Sequence, residues 1–313
     1  MLPMYEGSVI KSTGSIYIVE SSEKLFECRL KGNFKIKGIK TTNPIAVGDR
    51  VRFYVLKEEN IGLIEEILPR SNYIIRKATK LSKKSHIIAS NIDQAVLLVT
   101  LAYPRTSTGF IDRYTVTAEA YHIPVKIIFN KYDLYNEVQK TVLTEMISIY
   151  ENIGYECLIT SAKDKCNIDL FEDLLHNKTS LLTGHSGVGK SALINVIEPT
   201  LDLKTGEISH FHSKGKHTTT FAHMHKLSKG GYVIDTPGIK EFGLFDFKIE
   251  EVSHYFPEMR ALINSCKFNN CTHQYEPQCA VVDAVNNGTI AKSRYINYLR
   301  ILESPEEFED DYE

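Results

Sequence analysis

The chain has 313 residues, 42% of them hydrophobic and 24% charged, with a formal net charge of −2. That length suits about two or three domains with a sizeable core, and the composition is that of an ordinary globular protein rather than a disordered or fibrous one. The longest apolar run, Ala95 to Ala102, is well short of the ~20 residues of a membrane helix, so no membrane association is expected.

Residues 1 to about 70 read as all-β. Short β-prone runs recur at residues 7–10, 15–19, 25–30, 50–55 and 62–67, separated by turn residues such as Gly14, Gly32 and Gly48-Asp49. Five strands in that length predict a small OB-type barrel, a fold used on RNA and single strands, with an SH3-like barrel as the alternative. Lys31, Lys35, Lys37 and Lys40 cluster between two of the strands, either as a solvated loop or as part of a nucleic-acid surface. The net charge hides an asymmetry that favours a basic module here: residues 1–90 carry +7 and the remainder −9. The stretch from Arg70 to His86 is basic and shows no period beyond Ile74-Ile75. It reads as a linker, either touching phosphate backbone or merely solvated.

From Ile92 the pattern alternates strand and helix. A buried strand at 95–99 and a helix at 111–120 precede the strand Val125 to Phe129, which ends in Asn130-Lys131-Tyr132-Asp133, an N-K-x-D motif. The Asp133 carboxylate can accept from both N1–H and the exocyclic amine of guanine, whereas adenine would leave those oxygens unpaired. Asn130 braces the loop, and the Lys131 stem can lie over the ring. After a helix over 138–152 and a strand over 155–160 comes Ser161-Ala162-Lys163, similar to the loop of GTPases whose backbone N–H meets guanine O6.

Next is Gly184-His185-Ser186-Gly187-Val188-Gly189-Lys190-Ser191, which fits the phosphate-binding pattern G-x-x-x-x-G-K-[ST]. Thr179 to Thr183 reads as the strand before it, and the run from Ala192 as the helix after it, which is the context the pattern requires. The glycines let backbone N–H groups turn inward around phosphates at a helix N-terminus. Lys190 is expected on the β- and γ-phosphates and Ser191 on Mg²⁺. Further on, Asp235-Thr236-Pro237-Gly238 supplies a D-x-x-G pattern. There Asp235 is expected to hold Mg²⁺ through water and the Gly238 N–H to sense the γ-phosphate.

The order of these motifs is unusual. N-K-x-D and Ser161-Ala162 precede the phosphate loop, whereas GTPases ordinarily begin with that loop. The same sheet cut at another loop and rejoined, a circular permutation, explains the order.

With the N-terminal barrel, the permuted motifs and a cysteine cluster near the C-terminus, the chain resembles the ribosome small-subunit-dependent GTPase family over essentially its whole length. The resemblance implies a cytoplasmic bacterial factor that binds the small ribosomal subunit and its rRNA, acts as a monomer, and assists late maturation of that subunit. Its GTP hydrolysis is implied to be slow until the subunit stimulates it. The alternatives are a GTP-dependent RNA-binding switch and a metabolic phosphate-loop enzyme; Asp133 and the lack of a large acceptor-binding domain speak against the latter.

The cysteine cluster is Cys266-x4-Cys271-x-His273-x5-Cys279, four metal-type ligands within fourteen residues. A thiolate-rich set of four is a structural Zn²⁺ site, closed and non-catalytic. The six cysteines lack an export signal, and in a reducing cytoplasm clustered cysteines bind metal more often than they form disulfides. Cys28, Cys157 and Cys166 read as packing residues, and His223 and His225 as strand-face residues without a third ligand. The segment from Glu303 to Glu313 has seven acidic residues and no basic one, which predicts a disordered tail kept off RNA by its charge.

The expected organisation is an OB-type β-barrel (1–70), a basic linker (71–90), a circularly permuted α/β P-loop GTPase domain (91–245), a small helical zinc-binding domain (246–302) and an acidic tail (303–313). For the chemistry, the position after D-x-x-G is Ile239, which cannot orient water as the glutamine of many GTPases does. The candidate for that role is His217, with Thr219 expected to cap Mg²⁺. The competing reading places His217 on RNA beside Lys214 and Lys216.

Overall fold

In a computed structural model of the chain, residues 3–31, 44–56, 61–76, 86–203, 222–235 and 248–303 are described, excepting the side chains of Arg76, His86 and Asp235. Lys35, Lys37 and Lys40, residues 77–85 of the basic linker, Lys214, Lys216, His217, Thr219, Gly238, Ile239 and the acidic tail beyond Glu303 lie outside these residues.

The five N-terminal strands form where the turn residues leave room for them: β1 (Met4–Ser12), β2 (Tyr17–Ser21), β3 (Lys24–Leu30), β4 (Arg50–Leu56) and β5 (Ile61–Ile67). Alternation along each strand sends one face inward, so Val9, Tyr17, Val19, Cys28, Val51, Phe53 and Ile64 fill the interior. The ring closes in the order β1-β2-β3-β5-β4-β1, with β3 and β5 parallel and the other pairs antiparallel. Register shifts in β1 and between β4 and β5 help bend the strands into closure. This Greek-key ring is the OB arrangement.

The segment expected to be an irregular linker instead contributes an antiparallel pair, β6 (Tyr73–Arg76) and β7 (His86–Ser90). Ile74 and Ala89 of this pair are fully buried, and that apolar contact is what the basic composition concealed. Arg70 also has a structural role. Its guanidinium donates to both carboxylate oxygens of the fully buried Asp49 at 2.6 Å, and the Ser90 hydroxyl donates to the same group. Lys31, read as part of a basic cluster, pairs with Glu65 at 2.8 Å.

The alternating region follows as β8 (Gln94–Val99), α1 (Thr108–Ala120), β9 (Val125–Phe129), α2 (Glu137–Asn152), β10 (Glu156–Ile159), α3 (Ile168–Leu175), β11 (Thr179–Thr183), α4 (Lys190–Ile197), β12 (His223–Lys226) and β13 (Tyr232–Asp235). The sheet order is β10-β9-β8-β11-β13-β12, parallel except for β12. β8 is buried at every position, as a strand covered on both faces must be. Ala95, Leu97 and Val99 face the core that includes α1 and α2, whereas Val96 and Leu98 face that of α3 and α4. Local signals fix the helix starts: Ser107 caps α1, and Asn136 with Gln139 forms a capping box on α2. β12 meets β1 at His223 and Lys11, so the parallel sheet runs into the barrel.

The last region is helical: α5 (Pro257–Arg260), α6 (Ala280–Asn286) and α7 (Lys292–Glu303). Its core of Val252, Phe256, Met259, Val281, Tyr298 and Ile301 also takes in Val116 of α1. Beneath that contact lies a buried charge network. Arg294 on α7 and Asp112 on α1 are 2.7 Å apart, each side chain 1% exposed, and Arg294 also grips both Glu258 oxygens at 2.8 and 3.1 Å. Tyr150 and Asn297 donate to the Asp112 carboxylate as well. No helix among the described residues is long and apolar enough to cross a membrane.

Candidate nucleotide site and metal centre

In the parallel sheet, β8, β9 and β10 are laid down in one direction and β11 and β13 in the other, so the chain reverses between β8 and β11. Loops leaving the carboxyl ends of strands diverge at such a switch point and open a crevice. The loop from Gly184 to Gly189 leaves β11 there and enters α4, which begins at Lys190, two residues earlier than the sequence suggested. Gly184, Gly187 and Gly189 all have positive φ. Two of them also leave no space for a side chain: a Cβ would lie 2.4 Å from the Leu98 carbonyl oxygen at Gly184, and 2.4 Å from Asn130 Nδ2 at Gly189. The Lys190 ammonium donates to the Gly184 and His185 carbonyls at 2.6 and 3.0 Å, which holds it across the loop.

The guanine motif lies directly against this loop. Asn130 Nδ2 donates to the Val188 carbonyl at 2.8 Å, and Thr160 donates to Asn130 Oδ1 at 3.0 Å. The Ser161 hydroxyl donates to Asp133 Oδ1 at 2.7 Å, and the Asp164 N–H caps the same hydroxyl. Lys163 approaches the other Asp133 oxygen at 4.0 Å. Lys131 donates to the Tyr103 carbonyl; partial burial lowers its pKa, against the pull of Asp133. Asn130, Asp133, Ser161 and the phosphate loop therefore form one continuous surface. Tyr132 and Ala162 stand within it by sequence, and Ser186, Ser191 and Ala192 line the loop and the first turn of α4. Asp235 ends β13 next to β11, paired with Leu182.

Sequence reasoning missed four supports of this surface. Thr160 fixes Asn130; the Tyr135 hydroxyl donates to the Asn130 carbonyl at 2.6 Å and accepts from Leu101; the Phe110 ring lies 4.0 Å from that of His185; and Pro104 faces Gly187. Thr160 was open to inference as the residue before Ser161-Ala162. The others carry no local signal.

The second cluster brings the Cys266, Cys271, His273 and Cys279 ligand atoms within 4.8 Å of one another. His273 Nδ1 is 3.6 Å from Cys266 Sγ and 3.3 Å from Cys279 Sγ. Zinc bonds of about 2.0 Å to nitrogen and about 2.3 Å to sulfur imply N···S edges of about 3.6 Å in a tetrahedron, so the set fits Zn²⁺. His273 Nε2 is buried without a partner among the described residues, which leaves Nδ1 as the ligating nitrogen. Burial and the neighbouring thiols push the Cys271 thiol up to about 12, a penalty on the thiolate that a dication in the cluster removes. The loop is shaped by Glu276, whose carboxylate accepts from the backbone of Thr272, Gln274 and Tyr275 and from the Thr272 hydroxyl. Tyr295 and Tyr298 clamp it from α7 by donating to the His273 and Thr272 carbonyls. His223 and His225 lie on one face of β12 with rings 4.2 Å apart, and among the described residues no further cluster of metal ligands occurs.

A phosphate loop at a switch point, a guanine motif beside it from an earlier part of the chain, an OB barrel before and a Cys₃His cluster after define a circularly permuted P-loop GTPase. The profile described as RsgA GTPase matches residues 67–245, and that of the RsgA N-terminal domain matches residues 6–64. The chain belongs to the RsgA GTPase family. It is 53% identical to "Small ribosomal subunit biogenesis GTPase RsgA 2" of Bacteroides thetaiotaomicron over 96% of this chain and 97% of that one. It is 54% identical, at the same coverage, to the RsgA of Phocaeicola vulgatus. Among solved structures, YjeQ from Thermotoga maritima superposes with a TM-score of 0.79 at 36% identity, covering 96% of this chain and 98% of that one. YloQ, described as a circularly permuted GTPase, gives 0.75 at 31% identity, covering 96% and 94%.

Proposed function

We propose that this GTPase acts in biogenesis of the small ribosomal subunit, binding the subunit and its rRNA, and that it hydrolyses GTP slowly until the subunit stimulates it. The observation that carries the nucleotide half is the Asn130–Val188 hydrogen bond, which locks the guanine motif onto the phosphate loop across 58 residues of chain. The relatives' names support the ribosomal half, and a family of that kind disfavours a metabolic phosphate-loop enzyme. The protein works as a monomer in the cytoplasm, with residues 1–70, 91–245 and 246–302 as its barrel, GTPase and zinc-binding domains.

In this reading Asp133, oriented by Ser161, selects guanine, and the backbone at Ser161-Ala162 meets O6. The N–H groups from His185 to Ala192 surround the phosphates. Lys190 leaves its loop carbonyls for the β- and γ-oxygens, where it offsets charge that grows as water attacks the γ-phosphorus and the bond to the β-phosphate oxygen breaks. Ser191, Thr219 and, through water, Asp235 would hold Mg²⁺, which supplies further neutralisation of the phosphate oxygens. The Gly238 N–H reads the γ-phosphate. With Ile239 unable to orient water, His217 takes that task in the subunit-stimulated state. Cys266, Cys271, His273 and Cys279 hold a structural Zn²⁺.

Titrating GTP turnover against purified small subunits, with total RNA as control, tests this. A saturable rise with subunits alone is expected; equal stimulation by total RNA overturns the ribosomal half. His217→Ala should abolish stimulated turnover while GTP and subunit affinity stay near wild type. Loss of subunit binding, with normal turnover at saturating subunit, would instead place His217 on RNA.

A further inference from the structure

A groove of about 1020 Å³ lies where the GTPase region meets the zinc region, outside the nucleotide and zinc sites. One wall is the outer face of α2, where Val138, Val142, Met146 and Ile149 recur at helical spacing. Arg105, from the loop after β8, and Arg300, on α7, also line it. Val138 is 73% and Val142 41% exposed. An exposed apolar strip in a groove that also holds cations marks an interaction surface.

The chain itself holds a segment of matching chemistry. α7 ends at Glu303, within one turn of Arg300, and ten residues follow: Ser304-Pro305-Glu306-Glu307-Phe308-Glu309-Asp310-Asp311-Tyr312-Glu313. Pro305 disfavours continuation of the helix. Beyond it, six carboxylates flank two aromatic rings, the complement of a groove that holds an apolar strip and two arginines. Ten extended residues span up to ~33 Å, whereas Val138 to Ile149 covers roughly 17 Å of helix. The segment is therefore long enough to turn back along α2. Because it is tethered at the groove, docking is intramolecular, and an effective concentration in the millimolar range makes even a weak peptide contact sufficient.

We propose that residues 304–313 dock in this groove, Phe308 against Val138 and Val142 and the flanking carboxylates toward Arg105 and Arg300. The docked segment straps α7 to α2 and so ties the zinc region to the GTPase region. It also lies beside the nucleotide site, because the loop that carries Arg105 presents Pro104 to Gly187 and the Tyr103 carbonyl to Lys131.

The chain has no tryptophan, so Phe308→Trp in the full-length protein reports on this segment alone. The expected result is blue-shifted emission shielded from acrylamide, with quenching that rises several-fold when Val142→Asp or Arg105→Glu is added. Tyr312→Trp serves as a second probe should the first substitution itself disturb docking, and an unchanged circular dichroism melt checks that the groove variants fold. Solvent-exposed emission from both probes, indifferent to the groove variants, overturns the proposal. That holds equally if the groove variants then weaken binding of the small subunit, which would assign the groove to a partner.

Discussion

The candidate nucleotide site and the Cys₃His cluster are assembled in opposite ways. The candidate nucleotide site draws on Asn130, Asp133, Ser161 and Lys190, which parallel strands bring together and which hydrogen bonds to backbone carbonyls and hydroxyls cross-link. Strand order fixes those contacts, not chain order, so the chain can be cut and rejoined at another loop without disturbing them. The Cys₃His cluster takes all its candidate ligands from one short loop, with His273 and Gln278 held at positive φ. It forms locally but must be fastened to the rest, and the fastening is charged: Arg294 and Asp112 pair across 182 residues of chain. A site coded by a sheet thus inherits its rigidity, whereas a cluster coded by one loop depends on a separate joint.

The largest effect should come from breaking the local site. Structural zinc contributes roughly 10 kcal/mol or more to the folding of small metal-bound units. Cys271→Ser should therefore abolish amide-exchange protection over residues 248–303 and lower the zinc content, with GTP affinity near wild type. Purified wild-type protein without zinc by elemental analysis would end this reading.

Breaking the joint comes next. Arg294→Met leaves Asp112 and Glu258 buried without their cation, which costs about 3–5 kcal/mol in comparable sites. Urea denaturation should show that loss, and replacing Asp112 by leucine and Glu258 by glutamine in the same chain should recover part of it. A shift in the single variant no larger than that of an exposed pair would mean that packing, not charge, holds the regions together.

Within the sheet-coded site a single substitution should act on binding and not on folding. Asp133→Asn, which keeps an acceptor for Ser161 but loses the charge, should weaken GTP by at least ~2 kcal/mol by calorimetry with an unchanged melting temperature. Unaltered GTP affinity, or tight ATP binding by the wild type, contradicts guanine selection by this residue.

The smallest effect belongs to the seam between barrel and sheet. Burial works to raise the Glu20 carboxyl, but donation from Lys226 and Tyr232 outweighs it and holds the pKa below the ordinary 4.5. A carboxyl with a depressed folded-state pKa contributes stability above its unfolded value, and loses it as pH falls from 4.5 through the folded value. Lys226 is half exposed, so the contribution should stay below about 1 kcal/mol. Glu20→Gln should flatten the stability–pH slope in that acid range by lowering neutral stability by no more than that contribution, with acid stability unchanged; a slope equal to wild type would exclude the seam as its source.

Sequence alone determined the motifs whose chemistry is local. Gly184 to Ser191 reads as a phosphate loop because glycine freedom, a lysine and a hydroxyl suffice to define it. Cys266, Cys271, His273 and Cys279 read as a metal set because their spacing lets them converge without help from the fold. The permutation was legible too, since motif order is itself a property of the sequence, and the roles expected of His217, Thr219 and Gly238 fall outside the described residues. Only the tertiary structure decided the use of residues whose partners are distant. Arg70 opened a stretch read as a linker, touching phosphate or merely solvated, and is held by buried Asp49; Ile74 and Ala89 fell within that linker and are core; Arg294 carries no local signal and is the buried joint. A short motif carries its partners with it, whereas the meaning of a lone charge or hydroxyl depends on which group the fold places opposite it and on how much water is removed when the two meet.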